Sequence, residues 1–170
     1  MNNIKKINTV VWSGPITENF EDFYEYVFFP VMKRVGDFDL IVCAPSPSEE
    51  EKNTIKKISI LPKVTIIDSK NLDKLPLFIA SSKLWVGTGI NKVGFNISAK
   101  TNIDVGNAIV SPINGTPYDR LADIPYLKNL NIPILSKETA YIYVDIISSI
   151  LLNEDVRLAY AKECKEFYKL

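Results

Sequence analysis

Apolar positions along this chain fall into short blocks separated by stretches with helical spacing. Residues 8–12, 38–43, 64–68, 84–87, 108–111 and 132–135 are β-rich runs. Several are apolar almost without interruption, as expected of parallel strands covered on both faces. Between the first two, Phe20, Phe23, Tyr24, Val27, Phe28 and Val31 recur at the spacing of one helix face. Thr17 or Glu18 is placed to cap that helix, and Pro30 should kink it or end its regular part. Pro47-Ser48-Glu49-Glu50-Glu51 opens a second helix carrying Ile55 and Ile58. Residues 72–81 form a short third and residues 96–105 a fourth.

After Ser111 comes a long polar connection with Pro112, Asn114, Gly115 and Pro117, then a helical turn around Tyr126-Leu127. Two helices in series follow, residues 139–152 and 155–168, broken at Asn153. There is no repeat, low-complexity tract or linker. Strands alternating with helices in this way predict an α/β fold. It is a three-layer, Rossmann-like, doubly wound parallel sheet of about six strands.

The length changes the picture only in allowing one domain, residues 1–170, with a substantial core. Twenty basic side chains balance twenty acidic ones, so no global field draws in nucleic acid. The absence of histidine excludes Ser-His-Asp, Cys-His and histidine–metal chemistry from this chain. Cys43 and Cys164 give no disulfide framework or metal-ligand spacing. No apolar run approaches a membrane span and no signal peptide is visible, so the expected location is cytoplasmic.

The candidate chemistry lies after the strand Leu84-Trp85-Val86, where Gly94-Phe95-Asn96 opens a helix that leads to Gly106 and the next strand. A loop of that kind puts free amide hydrogens and the positive end of a helix dipole at a strand's carboxyl edge, a seat for phosphate. Gly94 serves either close approach of a phosphate or simply the turn into the helix. Gly106 reads as a helix C-cap. Trp12 and Trp85 either belong to the core or wall a base pocket, with core the better reading for Trp85. Asp104 and Lys100 fit a helix-surface pair and Asp119-Arg120 a loop ion pair. Tyr26 and Phe29 fall off the main helical stripe and are available to cover a domain edge or another chain.

The order of these signals resembles the C-terminal, donor-binding domain of group 1 glycosyltransferases with the GT-B fold, over nearly the whole chain. Leu84-Trp85-Val86-Gly87-Thr88 is similar to the strand before that family's "EGFG" turn, and Gly94-Phe95 to the turn itself. Gly106-Asn107-Ala108-Ile109-Val110 resembles its "G-x-P-V-V" strand entry, and Asn153-Glu154-Asp155-Val156-Arg157 its closing "d-e-r". The resemblance implies a nucleotide-sugar held at the strand ends, facing a second Rossmann-like domain or a homo-oligomer partner that brings the acceptor site. It implies no cofactor and no metal, and no catalytic residue is assigned.

The family clamps the diphosphate with an Arg and a Lys after the first strand and brackets the "GF" turn with two glutamates. Here the first loop reads Ser13-Gly14-Pro15-Ile16-Thr17-Glu18-Asn19, and the glutamate positions fall on Val93 and Thr101. Each lost charged hydrogen bond removes about 1.5–3 kcal/mol. Two such losses turn a micromolar site, about 8 kcal/mol, into a millimolar one. The remaining phosphate and nucleotide contacts would be Gly94, Phe95 and Asn96, the charge of Lys92, and the neutral groups of Ser13, Gly14, Thr17, Thr88 and Thr101. The alternative is a non-catalytic interaction domain, derived from such an enzyme, that has lost donor binding.

Overall fold

The computed structural model describes residues 5–13, 16, 18–87, 101–102, 104–110 and 137–168. Five strands are described: β1 (Thr9–Ser13), β2 (Asp39–Cys43), β3 (Val64–Ile67), β4 (Leu84–Gly87) and β5 (Ala108–Val110). All four pairings are parallel, in the order β3-β2-β1-β4-β5. The sixth strand expected at residues 132–135 lies outside the described residues.

Burial follows position in the sheet. Val10, Val11 and Trp12 of β1, Leu84, Trp85 and Val86 of β4, and all of β5 are buried. β3, last in the order on its side, is only partly covered along its length. The continuous apolar runs therefore belong to strands covered from both sides.

The helices are α1 (Glu18–Phe23), α2 (Phe29–Val35), α3 (Glu49–Ile58), α4 (Leu75–Ser81), α5 (Ala140–Leu152) and α6 (Glu154–Tyr168). The helix containing Pro30 does not end there. A π-helical turn, Tyr24–Phe28, joins α1 to α2, and the Phe29 amide donates to the Tyr24 carbonyl five residues back. Pro30 then occupies the first turn of α2, just after the π-helical turn, where its missing N–H leaves a gap in the helical ladder. The wider turn takes up the proline, and the chain stays helical to Val35.

Trp12 anchors one face of the sheet, stacking edge-on against Phe20 at 4.9 Å and Phe28 at 6.2 Å. Phe23 in turn meets Tyr143 of α5 at 6.1 Å. The helix after β1 and α5 thus share this face. Trp12 and Trp85 are both core residues, each 1% exposed. Among the described residues eight fully buried aromatic side chains, each removing about 150 Å² or more from water, supply much of the stabilisation.

At the amino edge, Gly106 ends the helical turn that contains residues 101–102 and 104. It adopts φ +77, and the Asn107 amide returns to the Asn102 carbonyl at 2.9 Å, the six-to-one bond of a Schellman end. The C-cap expected of Gly106 is therefore present. The two hydrogens of Asn107 Nδ2 are shared among three acceptors, Asn102 Oδ1 (2.7 Å), Ser82 Oγ (2.9 Å) and the Ile79 carbonyl (2.9 Å), and its Oδ1 accepts from Lys6 Nζ (2.6 Å). Arg157 of α6 donates to the Gly106 carbonyl and to Glu154.

Candidate functional site

The strand order locates the only reversal of chain direction across the described sheet. From β1 the chain builds outward through β2 to β3, then crosses back to place β4 on the other side of β1. In open α/β sheets the connections after two such strands leave from opposite faces, which marks the carboxyl ends of β1 and β4 as the switch point. Open α/β sheets take their ligands at such a switch point. Ser13 and Gly87 lie there, opposite one another as the last rung of the β1–β4 pairing.

Two of the expected contact residues are described. Ser13 closes β1 at the switch point. Thr101 is exposed on the helical turn before Gly106. Gly14, Thr17, Thr88, Lys92, Gly94, Phe95 and Asn96 lie outside the described residues. So do Lys100 and Asp119-Arg120. Neither tryptophan walls a pocket, since both rings are enclosed by the core. Cys43 pairs with Ser13 in the sheet, one strand away from the switch point. Burial pushes its thiol above the usual range, which keeps it protonated and a poor nucleophile.

One residue of this edge had been assigned only to a helix start. Ser48 caps α3, accepting the Glu51 amide at 3.2 Å, while Glu51 Oε2 accepts the Ser48 amide at 2.8 Å. Its other oxygen, Oε1, accepts the amide of Ile16 at 3.0 Å, in the loop that follows β1. Partial burial works to raise the Glu51 carboxyl, but the amides of Ile16 and Ser48 outweigh it and hold the group below the usual carboxylate range. Behind it, Glu21 of α1 receives Lys57 Nζ at 3.1 Å and Thr54 Oγ1 at 3.4 Å from α3. The Ser-x-x-Glu spacing was the visible signal for the cap. Nothing local pointed to Ile16.

Neither a protein-family model nor a curated protein matches the sequence. Solved structures do. A protein assigned as a UDP-N-acetylglucosamine 2-epimerase from Listeria monocytogenes superposes with a TM-score of 0.61 at 11% identity, over 94% of this chain and 40% of that one. WaaG, a glycosyltransferase involved in lipopolysaccharide biosynthesis, gives 0.60 at 13% identity, over 99% of this chain and 44% of its own. The spinosyn rhamnosyltransferase SpnG gives 0.57 at 14%, again over 99% and 44%. The fold is Rossmann-like and glycosyltransferase-like. At these identities the likeness concerns the fold alone, and the chain spans about two-fifths of the length of each neighbour. Among the described residues no helix is long and apolar enough to cross a membrane.

Proposed function

We propose that this domain is the donor-binding half of a group 1-like glycosyltransferase of the GT-B type, holding a nucleotide-sugar at the carboxyl ends of β1 and β4. A second Rossmann-like domain or chain would supply the acceptor site. The observation that carries the reading is the reversal of strand order at β1. The likeness to two glycosyltransferases, each with more than half its length beyond the matched part, supports it.

In this reading the donor's diphosphate meets amide hydrogens and hydroxyls of the loops holding Ser13, Gly14, Thr17 and Thr88, the helix start at Gly94-Phe95-Asn96, and the charge of Lys92. Thr101 takes the place of a ribose contact. As sugar transfer proceeds, the bond from the anomeric carbon to the diphosphate oxygen breaks and negative charge gathers on the leaving group. A helix N-terminus aimed there stabilises that charge by about 0.3–1 kcal/mol, up to ~2 in a partly buried geometry. Work in the cytoplasm, where nucleotide-sugars would be met, belongs to the same reading.

Calorimetry with UDP, GDP and their sugar conjugates tests it. Without the Arg and Lys clamp, dissociation constants near ~1 mM are expected, about 4 kcal/mol of binding. No heat at millimolar ligand, alone and with a candidate second domain present, would sink donor binding.

A second reading, an interaction domain that has lost its donor, draws on two observations. The Ile16 amide is already engaged by a carboxylate of the same chain. Phe29 and Tyr141 are 45% and 65% exposed. Sedimentation giving a strict monomer at high concentration, with no partner recovered by pulldown, would remove this alternative.

A further inference from the structure

We infer that Glu51 is a positioning residue for the ligand crevice, latching the loop after β1 to the start of α3; its bearing on ligand binding rests on the reading proposed above. The latch is specific in its chemistry. One carboxylate accepts two backbone amides, Ile16 at 3.0 Å and Ser48 at 2.8 Å, from the two loops that follow neighbouring parallel strands. Each of these loops would otherwise hold an amide with no strand or helix partner. A carboxylate satisfies both because it is acceptor-only, with an oxygen for each.

Sequence distance makes this more than a helix cap. Ile16 is 35 residues from Glu51, whereas Ser48 is three. Capping α3 requires only the Ser48 partnership. The bond to Ile16 fixes where the chain goes three residues after Ser13, the last residue of β1. Ile16 itself is buried, so its side chain and its amide are both anchored. Glu21, taking Thr54 and Lys57 from the next turns of α3, holds α1 to the same helix. Both Ile16 and α1 are therefore held to α3, with Glu51 as the tie nearest β1.

Glu51→Gln separates the two jobs. Glutamine keeps the shape but has one acceptor oxygen, and its NH2 would face an amide donor. Ser48→Ala is the control: it weakens the cap and leaves the carboxylate free to hold Ile16. Amide hydrogen exchange by NMR is read at Ile16 against Val11 in the centre of β1. In Glu51→Gln the Ile16 amide should exchange ~10-fold faster relative to Val11, the loss of one charge-assisted hydrogen bond. Ser48→Ala should leave that ratio near the parent value. An unchanged ratio in Glu51→Gln, or an equal loss in Ser48→Ala, overturns the latch.

UDP titration of the same proteins tests the bearing on the site. A several-fold weaker Kd in Glu51→Gln alone supports positioning. Equal or tighter binding in that variant overturns it, because the carboxylate would then be idle or merely repelling the anion. If the parent binds no UDP, the donor reading fails, while the exchange ratio still decides the latch.

Discussion

At the amino edge of the sheet, side chains from three separate segments converge on Asn107, whereas at the carboxyl edge a single carboxylate gathers backbone amides from two loops. The amino-edge cluster ties distant parts of the chain together around a fully buried amide. Lys6, Ser82, Asn102 and the Ile79 carbonyl all meet Asn107, and Arg157 seals the neighbouring Gly106 carbonyl with a side chain only 5% exposed. The carboxyl-edge tie uses one residue whose own helix start remains exposed. Buried polar groups are costly when orphaned, so a buried amide held by several partners resists displacement. A loop held by one ionic hydrogen bond opens locally for far less. The amino edge thus has several hydrogen bonds to lose, and the tie between Ile16 and α3 at the carboxyl edge rests on one residue.

The contrast predicts unequal costs for equally small changes. Asn107→Leu should be the most damaging, because at a fully buried position it removes every hydrogen bond of that amide, to Asn102, Ser82, the Ile79 carbonyl and half-buried Lys6. We expect a loss of ~3 kcal/mol or more, and a fall in Tm of about 6–12 °C for a domain of this size. A Tm within two or three degrees of the parent would mean the cluster does not hold this edge. Arg157→Met should cost less, about 2 kcal/mol in urea unfolding, since the Gly106 carbonyl loses its donor while half-exposed Glu154 returns to water. A larger loss than that of Asn107→Leu would reverse the order argued here.

The two edges also differ in how far they could be read from the residues. Strand positions were legible almost to the residue, because runs such as Val10-Val11-Trp12 and Ala108-Ile109-Val110 need cover on both faces. Gly106 was legible as a C-cap from its place between a helix and a strand. Pro30 was legible as an interruption of the regular helix, but the form it takes, a π-helical turn over Tyr24–Phe28 after which the chain stays helical to Val35, was not. The amino-edge cluster could not be foreseen: Lys6 and Asn107 are 101 residues apart, Arg157 and Gly106 51, and no periodicity connects them. Glu51 lay between these cases. Its cap was written in the spacing to Ser48, and its hold on Ile16 was not. Of the expected crevice, the sheet order supports its place, while Gly94-Phe95-Asn96 and Lys92 stay with the proposal.

The smallest effect concerns Lys6 and the pH dependence of the amino edge. Burial, then the neighbouring Arg157 charge, lowers its ammonium to about 8 from an ordinary 10.5, with Glu154 opposing weakly. Between those values the native chain has released a proton that the unfolded chain still holds. Stability therefore rises with pH through this window, and below about 8 the full penalty of the partly buried charge is present. Lys6 is only half buried, so screening by solvent trims the gain to ~1 kcal/mol. Urea unfolding of the parent and of Lys6→Met at pH 7.5, 9 and 10.5 isolates it, since other alkaline titrations are common to both. The parent should gain on the variant across the series. A constant difference would show that Lys6 keeps its charge at this edge, and that the cluster admits more water than its hydrogen bonds suggest.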